Sequence, residues 1–149
     1  MFFTGRYRNG VDAKGRVSVP AALRASLKGA DGVYLSPAQH LRCLEGAGPD
    51  FLERRAETLD GLDPLDPRRA ALERLYFGEA LWLGFDTAGR ITLPEALRAE
   101  FALQDEAVFV GVRDRFELWA PNRESEWARE ARDIAAGMTS LSALKEGAR

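Results

Sequence analysis

Residues 12–25 of the chain read DAKGRVSVPAALRA, and residues 86–99 read DTAGRITLPEALRA. A shift of 74 positions, from residue 12 to residue 86, aligns the aspartate, the Gly-Arg pair, the proline and the final Ala-Leu-Arg-Ala. With one inserted residue, the similarity continues from residues 33–44 to residues 108–119. Similarity at a fixed spacing indicates duplication, so the 149-residue chain is predicted to contain one structural unit of about 45 residues twice.

Each copy is predicted to begin with a turn, a strand and a helix. The Asp-x-x-Gly pattern favours a tight turn, because a short carboxylate can accept a hydrogen bond from the backbone just after it and glycine tolerates a positive φ. The residues that follow, RVSV at 16–19 and RITL at 90–93, alternate polar and apolar side chains. This alternation predicts a strand whose arginine and hydroxyl groups face outward while the aliphatic side chains face the core. The proline after each strand suits the first turn of a short helix.

Two further strands are predicted in each copy after the helix. They are placed around residues 33–35 and 41–44 in the first copy, and around residues 108–110 and 116–119 in the second. The strand at 41–44 contains Cys43, which is expected to pack as a small apolar side chain. The order predicted for each copy is strand, turn, strand, short helix, strand and strand.

Helices are predicted in the segment between the copies. Asp50 is expected to cap a helix that runs to about residue 59. Asp66 followed by Pro67 is expected to start a second helix that ends near Gly78.

Another helix is predicted after the second copy, with Asn122 as its cap and an apolar stripe at helical spacing that packs against the core. The stripe comprises Trp127, Ala131 and Ile134. Residues 137–149 lack a clear pattern and are expected to fray unless a partner holds them.

The composition excludes several classes of protein. No apolar run approaches the ~20 residues that cross a bilayer, and the first residues lack the apolar core and cleavage site of a secretory signal. We therefore expect a cytoplasmic protein. A single cysteine, Cys43, and a single histidine, His40, leave no internal disulfide and no zinc-spaced ligand set, so no metal and no cofactor are predicted.

The charge is distributed unevenly along the chain. The formal net charge is −2, but residues 1–28 contain six basic side chains and one acidic side chain, a net charge of +5. The remaining residues therefore total −7. This asymmetry predicts one basic face on an otherwise acidic molecule, although a merely solvated N-terminal segment would explain the charges equally well.

One chemical interpretation of the repeated motif is catalytic. Asp12 and Asp86 could share a proton and activate water, as a pair of carboxylates around a pseudo-twofold axis can when each half of a protein contributes one. The arginine that follows each glycine would lower the carboxylate pKa and oppose this sharing. The lone His40 also leaves no Ser-His-Asp set, so we predict that the protein is not an enzyme.

The second interpretation is binding to double-stranded DNA. A two-stranded element that carries outward arginines can lie in the major groove, where a guanidinium binds guanine or clamps phosphate oxygens. The two copies are predicted to give two such elements per chain, one with Arg16 and the other with Arg90. Lys14 has no counterpart in the second copy, which has Ala88, so the first copy is expected to contribute more to binding. A structural role, in which the arginines only lock the turns by bonding to the aspartates, stays open and is compatible with DNA binding.

The tandem motifs, an MF start and the linking stretch DPRRAALERLYFG (residues 66–78) resemble the MraZ family of bacterial transcriptional regulators, which have two SpoVT-AbrB-type domains. The resemblance extends to about residue 135. It implies an α+β fold, mainly β, in which two tandem AbrB-like repeats with swapped hairpins form a pseudo-twofold barrel of double-psi type, with linking and C-terminal helices. The implied SpoVT-AbrB domains are residues 7–54 and 83–126, with residues 55–82 as a linking helical segment and residues 127–149 as a C-terminal helix and tail.

The resemblance also implies a function. MraZ-like proteins assemble into closed rings and bind tandem repeats in the promoter of the division and cell-wall gene cluster that contains their own gene, usually as repressors. We therefore expect a nucleoid-associated homo-oligomer that binds promoter DNA, with no membrane partner and no small-molecule substrate. The alternative is an antitoxin-like or structural protein-interaction module of AbrB-type fold. By this likeness, the DNA-binding residues are Lys14, Arg16, Arg90 and Arg8, and the turn framework is Asp12, Gly15, Asp86 and Gly89.

Overall fold

A computed structural model describes residues 1–138, so most of the predicted tail lies outside the described residues. The element order predicted for each copy is found in both. The first copy contains β1 (Arg6–Gly10), β2 (Arg16–Ser18), α1 (Ala21–Ala25), β3 (Gly32–Pro37) and β4 (Leu44–Ala47). The link contains α2 (Pro49–Asp60) and α3 (Pro67–Glu73), which continues into a π-helical turn (Arg74–Gly78). The second copy contains β5 (Leu81–Gly84), β6 (Arg90–Thr92), α4 (Glu95–Glu100), β7 (Glu106–Gly111) and β8 (Phe116–Trp119), and α5 (Pro121–Ala136) follows it.

The strands form two antiparallel sheets, and helices pack around them. The larger sheet has six strands in the order β1-β7-β8-β4-β3-β5, and the smaller sheet pairs β2 with β6. The two copies exchange their first strands, because β1 pairs with β7 of the second copy and β5 pairs with β3 of the first. The fold is therefore α+β and mainly β, as predicted.

The smaller sheet is a short ribbon made of one strand from each copy, so the prediction of a separate two-stranded element in each copy was wrong. Its central pair is Val17 and Ile91. The pairing continues beyond both strands, because Val19 N donates to Gly89 O at 3.1 Å and Leu93 N donates to Gly15 O at 2.8 Å. The aliphatic side chains of the ribbon are buried in the core, whereas Ser18 and Thr92 are exposed, which confirms the predicted alternation.

The main core lies between the ribbon, the short helices and one face of the large sheet. The rings of Phe109 and Phe116 are both fully buried and lie 5.6 Å apart. Leu23 of α1 is also fully buried, and Phe101 at the end of α4 packs in the same core. Burying an apolar side chain of this size stabilises a protein by about 1.5–3 kcal/mol, so this shared core joins the two copies.

The fourth strand begins later than predicted. The prediction placed a strand at residues 41–44, but β4 spans Leu44–Ala47. Residues 39–43 form bends, and Ala38 N donates to Cys43 O at 3.0 Å. This hydrogen bond is in register with the pair Pro37 and Leu44, and the bends at residues 39–43 form the connection between β3 and β4, so the strand β4 starts only at Leu44. Cys43 is buried in an apolar cluster, as predicted.

Two predicted helix caps were wrong. The helix α2 starts at Pro49, with Gly48 before it, and Asp50 instead forms an ion pair with Lys28 at 2.8 Å. Likewise, α5 starts at Pro121, so Asn122 lies inside the helix. In both cases, the proline fixes the first helical position, because its φ suits a helix and its missing N–H is not needed there.

The cap at Asp66 is confirmed, since its carboxylate accepts a hydrogen bond from Arg68 N at 2.9 Å. The helical region that starts there ends at Gly78, as predicted.

The apolar stripe predicted on α5 packs only in part. Trp127 contacts a small second core formed by Cys43, Val108 and Trp119, whereas Ile134 is 54% exposed. The second half of the stripe is therefore not part of the core. Within residues 1–138, no helix has both the length and the apolar character needed to cross a membrane.

Candidate nucleic-acid interface

The turn of the first copy is built around the Asp12 carboxylate. Its Oδ1 accepts hydrogen bonds from Lys14 N at 3.0 Å and from Arg16 N at 2.9 Å. Gly15 N donates to Asp12 O at 2.9 Å, and Gly15 has a φ of +86°. A residue with a side chain is strained at this φ, so the turn requires both the aspartate and the glycine of the motif.

The second copy reproduces this geometry. Asp86 Oδ1 accepts hydrogen bonds from Ala88 N and Arg90 N, both at 2.9 Å. Gly89 has a φ of +77°. The turn therefore depends on the aspartate and glycine rather than on the two residues between them, which are Ala-Lys in one copy and Thr-Ala in the other.

Each motif arginine binds the aspartate of its own turn. Arg16 Nε donates to Asp12 Oδ2 at 2.6 Å, and Arg90 Nε donates to Asp86 Oδ2 at 2.7 Å. Both arginine side chains are 36% exposed. Their Nη atoms form no hydrogen bond with any described residue, so the aspartate orients each guanidinium while its outer edge stays available to a ligand.

The two carboxylates are held in their charged form. The hydrogen bond from Arg16 N lowers the pKa of Asp12, and the Arg16 guanidinium and Lys14 N lower it further. The same contacts from Arg90 and Ala88 lower the pKa of Asp86. Catalysis through a shared proton needs one carboxyl group with a raised pKa, so this geometry opposes the catalytic interpretation.

The motif arginines lie on one face of the ribbon. Arg16 is opposite Thr92, and Arg90 is opposite Ser18. The arginines are therefore diagonal neighbours on antiparallel strands, and residues in this relation typically lie about 7–8 Å apart. The exposed face presents two guanidinium groups and two hydroxyl groups, all of which can donate hydrogen bonds.

The other two predicted DNA-binding residues lie in different places. Lys14 is exposed in the first turn and forms no ion pair with a described residue. Arg8 lies in β1, opposite Val108 of β7, and its Nε binds the Glu106 carboxylate. The structure thus brings Lys14 next to Arg16, whereas Arg8 belongs to the large sheet.

The basic character of residues 1–28 is partly neutralised. Four of the six basic side chains there form ion pairs with carboxylates. These pairs are Arg6 with Glu124, Arg8 with Glu106, Arg16 with Asp12, and Lys28 with Asp50. Only Lys14 and Arg24 have no carboxylate partner among the described residues, so the predicted basic face is narrower than the sequence suggests.

Two further arginines, which the Asp-x-x-Gly-Arg motif does not include, also lie at the ribbon. Arg24 of α1 and Arg98 of α4 occupy the same place in the repeated Ala-Leu-Arg-Ala sequence. Each lies against the glycine of a motif turn, and in both cases that turn belongs to the other copy. The sequence does show that Arg24 and Arg98 are equivalent, because both occur in the repeated Ala-Leu-Arg-Ala. No local sequence pattern, however, indicates that each of them contacts the other copy.

Comparison with known proteins places this duplicated, arginine-presenting fold among transcriptional regulators. A protein of Parvibaculum lavamentivorans named Transcriptional regulator MraZ is 42% identical over 142 residues, which cover 93% of this chain and 88% of the relative. Proteins of the same name from Rickettsia canadensis and Rickettsia rickettsii are each 39% identical over 135 residues, covering 89% of this chain and 91% of each relative. A family profile described as "MraZ protein, putative antitoxin-like" matches residues 76–139. The chain belongs to the MraZ family.

Proposed function

We propose that this protein is a sequence-specific, DNA-binding transcriptional regulator. It acts in the cytoplasm at the nucleoid, as a repressor that binds direct repeats in the promoter of the division and cell-wall gene cluster that includes its own gene. The observation that carries the proposal is the β2–β6 ribbon, whose exposed face presents Arg16 and Arg90 side by side. The relatives named transcriptional regulators support the same role.

The ribbon has the shape and chemistry that recognition in the major groove requires. The groove admits a two-stranded β-ribbon, and an arginine there binds guanine O6 and N7 with two hydrogen bonds. Asp12 and Asp86 use the Nε side of each guanidinium, which leaves the Nη atoms for the DNA. Because the aspartates already restrict the arginine side chains, less conformational entropy is lost on binding.

The proposed contact residues have different roles. Arg16 and Arg90 bind base edges, while Lys14, a flexible point charge on the exposed turn, binds phosphate. Arg8 binds the phosphate backbone beside the ribbon, where the DNA phosphate competes with Glu106 for its guanidinium. The turn framework of Asp12, Gly15, Asp86 and Gly89 positions these groups.

The architecture supports this proposal. We assign residues 7–54 and 83–126 to two SpoVT-AbrB domains, residues 55–82 to the linking segment, and residues 127–149 to the C-terminal helix and tail. The exchange of β1 and β5 between the copies is the pairing that a pseudo-twofold barrel of swapped hairpins needs. A ring of such chains presents one ribbon per subunit, so individually weak sites bind repeated DNA through their effective concentration.

Arginine substitutions test the proposal. The probe is a duplex from the region immediately upstream of the gene for this protein, titrated by fluorescence anisotropy with wild type, Arg16→Gln and Arg90→Gln. Each substitution is expected to weaken binding and to relax base preference, since a bidentate arginine contributes about 1–3 kcal/mol of discrimination.

Arg132→Gln is the matched control, because Arg132 is exposed on α5 and has no part in the ribbon. Full-strength binding by both ribbon variants would refute the proposal and favour the protein-interaction alternative.

A further inference from the structure

We infer that an arginine of the opposite copy adds cationic charge at each DNA-facing turn. Arg24 adds its positive charge at the turn of residues 86–89, and Arg98 adds its charge at the turn of residues 12–15. Both bind the phosphate backbone on either side of the ribbon. This inference rests on the proposed DNA-binding function and adds two residues to its site.

The position of Arg24 is fixed by contacts with the second copy. A methyl group added to Gly89 would lie 2.6 Å from Arg24 Cζ and 2.8 Å from Nη1, so the guanidinium rests directly against the backbone of that turn. Arg24 Nε donates to Val19 O at 3.0 Å, and Val19 N donates to Gly89 O. These hydrogen bonds place the charged end of Arg24 next to Ala88 and Arg90 of the second motif.

Arg98 has the corresponding position at the first turn. A methyl group added to Gly15 would lie 2.9 Å from Arg98 Nε and 3.3 Å from Cδ. The Nε of Arg98 is buried and has no hydrogen-bond partner among the described residues, unlike that of Arg24. An unpartnered buried donor is rare in a native structure, and here it means that packing against the first turn, rather than a hydrogen bond from Nε, holds the Arg98 side chain in place.

The charge balance shows why these two arginines matter. Arg16 with Asp12, and Arg90 with Asp86, each form a pair with no net charge. Within residues 1–138, neither Arg24 nor Arg98 forms an ion pair. Attraction to phosphate depends on net charge. The two arginine–aspartate pairs can therefore bind base edges, but they add little to the electrostatic part of the DNA-binding free energy.

The terminal nitrogens of both arginines are free to bind a ligand. Neither Arg24 nor Arg98 uses an Nη atom in a hydrogen bond to a described residue, and those atoms are not sealed from solvent. The first turn then has Lys14 and Arg98, while the second turn has Arg24 beside the neutral Ala88. The second turn therefore has one such cationic side chain, whereas the first turn has two.

The salt dependence of DNA binding tests the inference. Wild type, Arg24→Gln and Arg98→Gln are titrated against the upstream duplex and against a duplex of unrelated sequence over a range of salt concentrations. Each substitution is expected to reduce the slope of log K against log salt by about one per bound chain. Binding to both duplexes should weaken by the same factor, because phosphate contacts carry no sequence information.

Double substitutions test the crossing between copies. Arg24→Gln combined with Arg90→Gln is expected to be non-additive, since both act at one turn, whereas Arg24→Gln combined with Arg16→Gln is expected to be additive. If the effects of Arg24→Gln and Arg16→Gln were non-additive instead, the assignment of Arg24 to the turn of the second copy would be wrong. Arg24→Lys and Arg98→Lys keep the charge and should keep the slope, and Arg132→Gln should change nothing.

The outcomes separate the two hypotheses. If Arg16→Gln and Arg90→Gln weaken binding but folded Arg24→Gln and Arg98→Gln keep the wild-type slope, only this inference fails. If none of the four changes binding, the proposed function fails. Should the Gln variants not fold, modification of the unaltered protein by phenylglyoxal gives the answer. Bound DNA is expected to protect Arg24 and Arg98 but not Arg132, and equal modification with and without DNA would overturn the inference.

Discussion

Replacing Gly89 by alanine tests whether the second turn needs glycine for its backbone conformation and also for its contact with Arg24. At a φ of +77°, an alanine costs about 1–2 kcal/mol relative to glycine. The new methyl group would lie 2.6 Å from Arg24 Cζ, so the side chain must move and its hydrogen bond to Val19 O is lost, at about 1 kcal/mol. The free energy of unfolding should therefore fall by about 2–3 kcal/mol, which lowers Tm by about 4–12 °C.

Gly29 provides a matched control for this experiment. Its φ is also +77°, but a methyl group there would have no atom within 4 Å. Gly29→Ala should therefore show only the conformational cost of about 1–2 kcal/mol and bind DNA normally. Gly89→Ala should in addition reduce the salt dependence of DNA binding, because Arg24 is displaced. Equal losses of stability in the two variants, together with normal DNA binding by both, would refute the reasoning about Arg24.

Three further results are expected. Phe109→Ala should lower the free energy of unfolding by about 3–5 kcal/mol in a denaturant titration, because Phe109 is fully buried in the shared core. Asp12 and Asp86 have lowered pKa values, so their contribution to stability should be present above the unfolded value near 4 and be lost as the pH falls further. The Tm difference between wild type and Asp12→Asn should accordingly shrink in acid. Burial raises the pKa of Glu117, so its ionised form destabilises the fold, and Glu117→Gln should raise Tm at pH 7 more than at pH 4.

The local structure of the repeated motif could be predicted because short-range chemistry determines it. Asp12 and Gly15 specify the turn within four residues, and the alternation after Arg16 specifies which side chains enter the core. The capping errors at Asp50 and Asn122 have a local cause as well. A proline one position earlier fixes the start of each helix, so the proline was the stronger signal.

The pairing between the copies could not be predicted from the residues alone. The strand β1 pairs with β7, about a hundred residues away along the chain, and alternation within a strand does not identify its partner. Ion pairs across such distances are equally hidden. Glu106 neutralises Arg8, and Glu124 neutralises Arg6, so counting charges along the sequence overestimated the basic face.

Joining two copies in one chain allows the two turns to differ, which a symmetric dimer of identical chains does not allow. The difference between Lys14 and Ala88 is one result. Another is that, within residues 1–138, Arg24 Nε has a hydrogen-bond partner and Arg98 Nε has none. The framework of aspartate and glycine is kept in both copies because each turn needs it to form. Residues that only add charge are free to change. If the ribbon binds DNA as proposed, the unequal distribution of cations around it gives the protein a direction along that DNA.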